Sequence, residues 1–219
     1  MTDDKKKQIL SRVDHTLLKP FATWEQIQTL CREAVKYKTA TVCIPASYVK
    51  RVFETFRKEL RVCTVIGFPL GYDTTEAKVF EAQNALRNGA AEIDMVINIG
   101  DVKNGDFDSV EKELTALRSA TEGSILKVII ETCYLDRDEK IKLSQLVTKA
   151  GADFIKTSTG FGTGGAVLED VALLRANIGK NVRIKAAGGM RTAEDHEMFF
   201  DAGADRLGSS SAIKALYEA

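Results

Sequence analysis

Three ionisable residues interrupt stretches that otherwise have the apolar, β-branched character of buried strands. Asp94 lies in Glu92-Ile-Asp-Met-Val-Ile-Asn98, Lys156 in Asp153-Phe-Ile-Lys-Thr-Ser-Thr-Gly160, and Lys185 in Arg183-Ile-Lys-Ala-Ala-Gly-Gly189. Taken singly, a strand aspartate is often a turn or cap residue, and a strand lysine often carries its ammonium out to solvent. Two lysines and a carboxylate in separate buried-type strands are harder to explain that way, because an unpaired charge taken out of water is expensive. If they meet, they supply the parts of imine chemistry. An amine attacks a carbonyl only when unprotonated, and free lysine titrates at about 10.4. Desolvation and a second ammonium nearby both disfavour the charged form of such an amine. Lys156 is the candidate nucleophile, Lys185 is suited to supply the second charge, and Asp94 can shuttle protons directly or through a water. Loss of water from the carbinolamine leaves a protonated imine, an electron sink that stabilises the enamine formed when a carbon–carbon bond breaks. That chemistry calls for no metal and no organic cofactor.

A second cluster is rich in glycine and hydroxyls: Thr157-Ser-Thr-Gly-Phe-Gly-Thr-Gly-Gly165, Ala187-Gly188-Gly189 and Leu207-Gly-Ser-Ser-Ser211. Glycine lets backbone N–H groups approach an anion closely, and a helix beginning near Ser209 would present its positive end. One such loop is equally well a tight turn; three at successive strand ends favour a phosphate site.

The elements that must position these groups are legible as an alternation. Short apolar runs occur at Thr41–Pro45, Arg61–Gly67, Ala91–Ile97, Ile125–Glu131, Ala152–Thr157, Val182–Ala187 and Ala204–Gly208, with a weaker eighth at Arg12–Leu17. Between them lie segments with apolar residues at three- and four-residue spacing, such as Val79, Ala82 and Leu86, or Leu143, Leu146, Val147 and Ala150. Gly89, Gly151 and Gly203 stand where helices should end, and Asp73-Thr-Thr-Glu76 has the form of a capping box. Strand–helix alternation with hydrophobic strands implies a parallel sheet covered by helices, and eight units in 219 residues fit a TIM (β/α)8 barrel. The whole chain, 1–219, reads as one domain with a short N-terminal helical segment. An open doubly wound sheet would carry a glycine fingerprint after its first strand, and none is there. In a barrel the chemistry collects at the C-terminal strand ends, the one place where the three ionisable residues can meet.

Composition bounds the partners. Lys+Arg and Asp+Glu both number 31, so the formal net charge is zero, which argues against nucleic acid or an anionic membrane as partner. The like-charge cluster Lys5-Lys6-Lys7, preceded by Asp3-Asp4, is expected to be frayed and solvated. No stretch approaches the roughly 20 apolar residues needed to span a bilayer, and nothing at the N-terminus resembles a secretory signal. Cys31, Cys43, Cys63 and Cys133 lack metal-ligand spacing, so neither disulfides nor a structural zinc are expected and the setting is cytoplasmic. Cys43 is expected to face the core near the mouth without acting as a nucleophile, His15 to be structural or to wall the pocket, and His196, in a polar helix, to be exposed.

Seven strings, in order, resemble the deoxyribose-phosphate aldolase family: Val13-Asp-His-Thr-Leu-Leu18, Val42-Cys-Ile-Pro45, Val65-Ile-Gly-Phe-Pro-Leu-Gly71, Glu92-Ile-Asp-Met-Val-Ile-Asn98, Phe154-Ile-Lys-Thr-Ser-Thr-Gly-Phe161, Lys185-Ala-Ala-Gly-Gly-Met-Arg191 and Arg206-Leu-Gly-Ser-Ser210. The resemblance implies a class I aldolase that reversibly cleaves 2-deoxy-D-ribose 5-phosphate to acetaldehyde and D-glyceraldehyde 3-phosphate, in deoxyribose phosphate catabolism. It maps the Schiff-base lysine on Lys156, a second catalytic lysine on Lys185 and the proton-relay aspartate on Asp94. Asp14, Thr16, Cys43 and Thr159 fall where the family lines its pocket. Phosphate would sit among Gly162, Thr163, Gly164, Gly188, Gly189, Gly208, Ser209 and Ser210, largely on backbone N–H groups. The partners implied are phosphorylated sugar and aldehyde substrates and, for the chain itself, a homodimer. Two departures stand out. Phe161 occupies a place where some relatives carry a phosphate-holding lysine, and Tyr217-Glu-Ala219 stops short of a tail whose tyrosine reaches the site in others. The rival readings are another Schiff-base barrel aldolase, transaldolase-like or acting on ketoacids, and a phosphosugar-binding barrel without catalysis.

Overall fold

Branching at Cβ suits Val, Ile and Thr to a pleated, half-buried surface, so runs rich in them favour strands. The computed structural model of the chain describes residues 1–217, leaving Glu218 and Ala219 of the short C-terminus outside the described residues. Every expected run holds a strand, the last of them extending one residue past its run: β1 (Val13–Thr16), β2 (Thr41–Ile44), β3 (Val62–Ile66), β4 (Glu92–Val96), β5 (Ile125–Ile129), β6 (Phe154–Lys156), β7 (Arg183–Ala187) and β8 (Arg206–Ser209). All neighbours pair in parallel and in chain order, and β8 pairs back with β1, closing the TIM barrel. Helices α1 (Asp3–Leu10), α2 (Trp24–Tyr37), α3 (Ala46–Phe56), α4 (Thr75–Arg87), α5 (Ile99–Lys103), α6 (Phe107–Ala120), α7 (Arg137–Lys149), α8 (Leu168–Asn177), α9 (Ala193–Asp201) and α10 (Ala212–Tyr217) fill the connections. None of the described helices is long and apolar enough to cross a membrane.

Local chemistry sets the boundaries. Gly89, Gly151 and Gly203 follow the ends of α4, α7 and α9 with φ of 102°, 72° and 90°, the left-handed conformation that stops a helix. Thr23, Asp136 and Thr192 open α2, α7 and α9 with reciprocal capping boxes. The start of α4 differs from expectation by one residue. Thr74, whose backbone is extended, caps it by accepting from Ala77 N, so Asp73 and Glu76 form no box. The N-terminus is not frayed either. Thr2 caps α1, Lys5 Nζ lies 2.5 Å from Asp201 on α9, and the Lys5 and Lys6 ammoniums stand over the rings of Phe200 and Tyr217. Opposite charge and aromatic faces contributed by distant segments anchor a cluster that looks solvated in isolation.

Side chains alternate between the faces of a strand, and here the alternation separates two interiors. Outward residues such as Val42, Ile93, Met95, Leu126, Val128, Ile155 and Ile184 join the helices' apolar faces in one core that rings the barrel. The opposite set, including Asp14, Cys43, Cys63, Glu92, Asp94, Lys127, Lys156, Lys185 and Arg206, is also buried but lies outside that apolar cluster. The lumen of such a barrel is usually filled by branched aliphatic residues; in this one it holds charges.

Candidate active site

Asp94, on β4, has both carboxylate oxygens engaged from across the lumen. Its Oδ2 accepts from Lys156 Nζ at 2.8 Å and Lys185 Nζ at 2.7 Å, and its Oδ1 accepts from Lys127 Nζ at 2.8 Å and Cys63 Sγ at 3.1 Å. Asp14, on β1, accepts from Lys185 Nζ, from Arg206 Nη1 at 2.6 Å and from Thr41 Oγ1 at 2.7 Å. Glu92, two residues before Asp94, lies 2.7 Å from Lys127 Nζ and 3.2 Å from Arg206 Nη1. Four cations thus face three carboxylates: Lys127, Lys156, Lys185 and Arg206 against Asp14, Glu92 and Asp94.

Burial works against the charges of Asp14, Asp94, Lys127, Lys185 and Arg206, yet opposite charge within contact outweighs it. Lys127, Lys156 and Lys185 hold the Asp94 carboxyl well below the usual carboxylate range, and Lys127, Lys185 and Arg206 do the same for Asp14. In return Asp14 and Asp94 hold Lys127 and Lys185 above the usual lysine range. Lys185 therefore stays an ammonium, on the same carboxylate oxygen as Lys156. Two groups of possible metal donors occur here, Cys43, Cys63 and Asp94, and Asp14, Cys63 and Glu92. Asp14, Glu92 and Asp94 are already neutralised by lysine and arginine at contact distance, so a divalent cation would have to displace them.

Above the cluster, at the C-terminal ends of the strands, a cavity of about 350 Å³ opens among the loops after β1, β6, β7 and β8. Of the three barrel lysines, Lys156 alone lines it; Lys127 and Lys185 are fully buried beneath. Thr16, Thr159, Gly188, Gly189, Gly208, Ser209 and Ser210 share the lining, while Asp14 and Cys43 lie below the floor. Cys43 faces Cys63 on the adjacent strand. Gly162, Thr163 and Gly164 are not brought into this lining. A Cβ on Gly162 would stand 3.0 Å from Cys133 Sγ and 3.1 Å from Glu131 Cδ, and one on Gly164 would stand 3.2 Å from Cys133 Cβ, so this stretch backs onto the β5 loop. Gly165 instead abuts the β7 loop, where an added Cβ would fall 2.5 Å from Gly188 C and O. β8 ends on Ser209, and the helix expected near it, α10, starts at Ala212.

Several residues escaped sequence inspection. Glu92, Lys127 and Arg206 complete the charged lumen, and their signal was parity, since Glu92 stands two before Asp94 on the same strand face. Lys19 and Arg191 border the cavity and bring positive charge to a site from which Phe161 withholds a lysine. Glu131, buried at φ 53°, accepts from Thr159 N at 3.1 Å and from Thr159 Oγ1, fixing the β6 loop from the end of β5. His15 is a wall residue: it lines a neighbouring cavity and its Nε2 lies 2.8 Å from Glu33 Oε2. His196 overturns its expectation. It is fully buried, because α9 turns its His196 and Phe199 side toward the barrel. Its Nδ1 lies 2.6 Å from Thr192 O and its Nε2 2.8 Å from Ser209 Oγ.

A closed parallel barrel with a buried lysine at the floor of a glycine-rimmed mouth, paired to a carboxylate and a second ammonium, defines a barrel aldolase of the lysine type. The model of the DeoC/LacD family aldolase matches residues 8–209. Deoxyribose-phosphate aldolase of Clostridioides difficile is 59% identical over 210 residues, covering 96% of both chains. That of Streptococcus agalactiae is 58% identical over 208 residues, covering 95% of this chain and 93% of the relative. The tetrameric structure of deoxyribose phosphate aldolase from Aeropyrum pernix superposes with a TM-score of 0.89 at 35% identity, covering 96% of this chain and 90% of that one. The chain belongs to the DeoC/LacD aldolase family, and its curated relatives are deoxyribose-phosphate aldolases. It is an enzyme, a carbon–carbon lyase.

Proposed function

We propose that Lys156 forms the Schiff base, with Lys185 as the second catalytic lysine and Asp94 as the proton-relay carboxylate. The reaction is the reversible cleavage of 2-deoxy-D-ribose 5-phosphate to acetaldehyde and D-glyceraldehyde 3-phosphate, a step of deoxyribose phosphate catabolism. The observation that carries the assignment is that Lys156 alone among the barrel lysines borders the cavity. Its Nζ adds to the aldehyde carbon C1 of the open-chain sugar, and the carbinolamine loses water to give the protonated imine. Asp94 then keeps a cationic partner at Lys156, so the step leaves no carboxylate unpaired. Removal of the C3 hydroxyl proton lets the C2–C3 bond break, its electron pair passing into the imine as an enamine and D-glyceraldehyde 3-phosphate departing. The enamine takes a proton at C2, and water hydrolyses the resulting imine to acetaldehyde and free Lys156. Asp94, directly or through a water, takes up and returns these protons, while Lys185 supplies the fixed positive charge beside it.

The phosphate lies against Gly188, Gly189, Gly208, Ser209 and Ser210, with Lys19 and Arg191 adding charge at the rim. Thr16 and Thr159 flank the sugar, while Asp14 holds Lys185 and Cys43 supports the floor. The whole chain, 1–219, acts as one domain, forms a homodimer and works in the cytoplasm, a setting that fits four free thiols. Borohydride reduction in the presence of acetaldehyde, followed by peptide mapping, tests the chemistry. A two-carbon adduct on Lys156, absent in Lys156→Ala, is the expected result; an adduct on another lysine would reassign the nucleophile. Sedimentation equilibrium tests the assembly, with a species of twice 24.1 kDa expected and a monomer overturning it.

A further inference from the structure

We infer that His196 is a positioning residue for the phosphate end of the cavity, acting through Ser209 without touching substrate. The inference rests on reading the loops after β7 and β8 as the phosphate seat. A carbonyl only accepts, so the 2.6 Å contact with Thr192 O puts the imidazole hydrogen on Nδ1. Burial favours the neutral ring, which leaves Nε2 as an acceptor. The 2.8 Å contact there is therefore Ser209 Oγ–H donating to Nε2. Ser209 Oγ in turn accepts the backbone N–H of Ser211 at 3.1 Å, and Ser211 Oγ donates to Met190 O at 3.0 Å.

These four hydrogen bonds run from Thr192, at the end of the β7 loop, through α9 and the end of β8, and back to Met190 in the β7 loop. Met190, Ser209, Ser210 and Ser211 all line the cavity. The ring thus fixes the spacing of the two loops that carry Gly188, Gly189 and Ser210. A seat built mainly from backbone N–H groups has few side chains to adjust its fit, so that spacing governs anion affinity. With an apolar residue at 196, the hydroxyl of Ser209, a buried residue, loses its acceptor on α9, so the end of β8 is held to the β7 loop only by Ser211 Oγ on Met190 O.

The test measures kcat and KM for 2-deoxyribose 5-phosphate and for unphosphorylated 2-deoxyribose with the full-length protein. His196→Leu should raise KM for the phosphorylated sugar by about 10-fold, the order expected when one buried hydrogen-bond partner is removed. Its kcat, and kcat/KM for the unphosphorylated sugar, should stay within about 2-fold. His196→Gln, whose Oε1 can accept from Ser209, should recover most of the loss. Ser209→Ala should raise the same KM, and the double variant His196→Leu/Ser209→Ala should be no worse than the poorer single one, since the two act as a unit. If His196→Leu does not fold, Ser209→Ala and His196→Gln still decide the matter. Equal losses on both sugars, a glutamine variant as damaged as the leucine one, or an unchanged KM would overturn the inference while the phosphate seat stands. A wild-type enzyme that neither prefers the phosphorylated sugar nor is inhibited by inorganic phosphate would remove the seat, and His196's role with it.

Discussion

The charge on each buried group in the lumen is set by contact partners, so single substitutions there should act on stability and chemistry together. Replacing Lys185 by Met leaves Asp14 with Lys127 and Arg206 and Asp94 with Lys127 and Lys156, stripping one cation from each carboxylate. No carboxylate is left unpaired, but each charge-assisted hydrogen bond lost is worth about 1.5–3 kcal/mol, so a drop in the urea midpoint should accompany loss of cleavage activity. Lys185→Arg keeps the charge but not the ammonium's shape, and should recover stability more than turnover. The pH dependence has a definite sign. Asp14 and Asp94 are depressed in the folded state, so the stability they contribute is present above about pH 4 and is lost as pH falls below it. Lys127 and Lys185 are raised, so their contribution is present below about pH 10.4 and is lost as pH rises beyond it. His196, depressed by burial, adds a loss that begins as pH falls below about 6.5, where the unfolded ring gains its proton first. The stability difference between wild type and His196→Gln, read from urea melts, should therefore grow with pH between 5 and 7, whatever other groups add to both proteins; a difference that does not change with pH would mean the ring is not held neutral by the fold.

At the scale of elements, α4 reaches the mouth through one side chain. Lys78 is fully buried and donates from Nζ to Gly71 O, to Val96 O at 2.8 Å and to Glu113 on α6. Glu113 also accepts from Asn98 N at 3.1 Å, so the pair ties the loop after β3 to the end of β4 and to two helices. Its stem fills the space beside Gly67, where φ is 56° and an added Cβ would lie 2.7 Å from Lys78 Cε. The loop so held carries Phe68, which packs edge-on against Phe161 at 5.3 Å, joining it to the β6 loop that borders the cavity. Lys78→Ala should cost about 3–5 kcal/mol, because the buried Glu113 loses its cation and keeps only the Asn98 N–H, and the carbonyls of Gly71 and Val96 lose the ammonium. Lys78→Met combined with Glu113→Leu should recover much of that, since no isolated charge remains. Thermal melts of the three proteins decide between them, and a double variant no more stable than Lys78→Ala would mean the pair holds more than its own charges.

Closure makes the molecule one cooperative object. β1 pairs with both β2 and β8, so the sheet keeps two unpaired edges until the first and last strands meet. The apolar core likewise runs round the barrel as one cluster, from Ile9 on α1 to Leu216 on α10. Calorimetry should therefore show a single transition with van't Hoff and calorimetric enthalpies equal, and a total of about 150 kcal/mol at typical per-residue values. Two resolved transitions would contradict the single domain.

The elements and the chemistry-bearing residues were legible in the sequence because both are local. Strand runs, helix periods and terminating glycines depend on residues within a few positions of one another, and Asp94, Lys156 and Lys185 declared themselves as charges in apolar surroundings. The ordered strings carried the family for the same reason. What tertiary structure alone decided is which side chains meet. Asp14 and Arg206 stand 192 residues apart in sequence, and barrel closure brings them together. Glu92, Lys127 and Arg206 joined the lumen because pleat parity and register aim them inward, whereas Gly162 and Gly164 faced the β5 loop because the chain after β6 turns that way. His196 lay in a helix of polar composition, and only the docking of α9 on β8 showed that its ring faces Ser209. Neither burial nor partnership is a property of a residue's neighbours in the chain; both are fixed when the barrel closes.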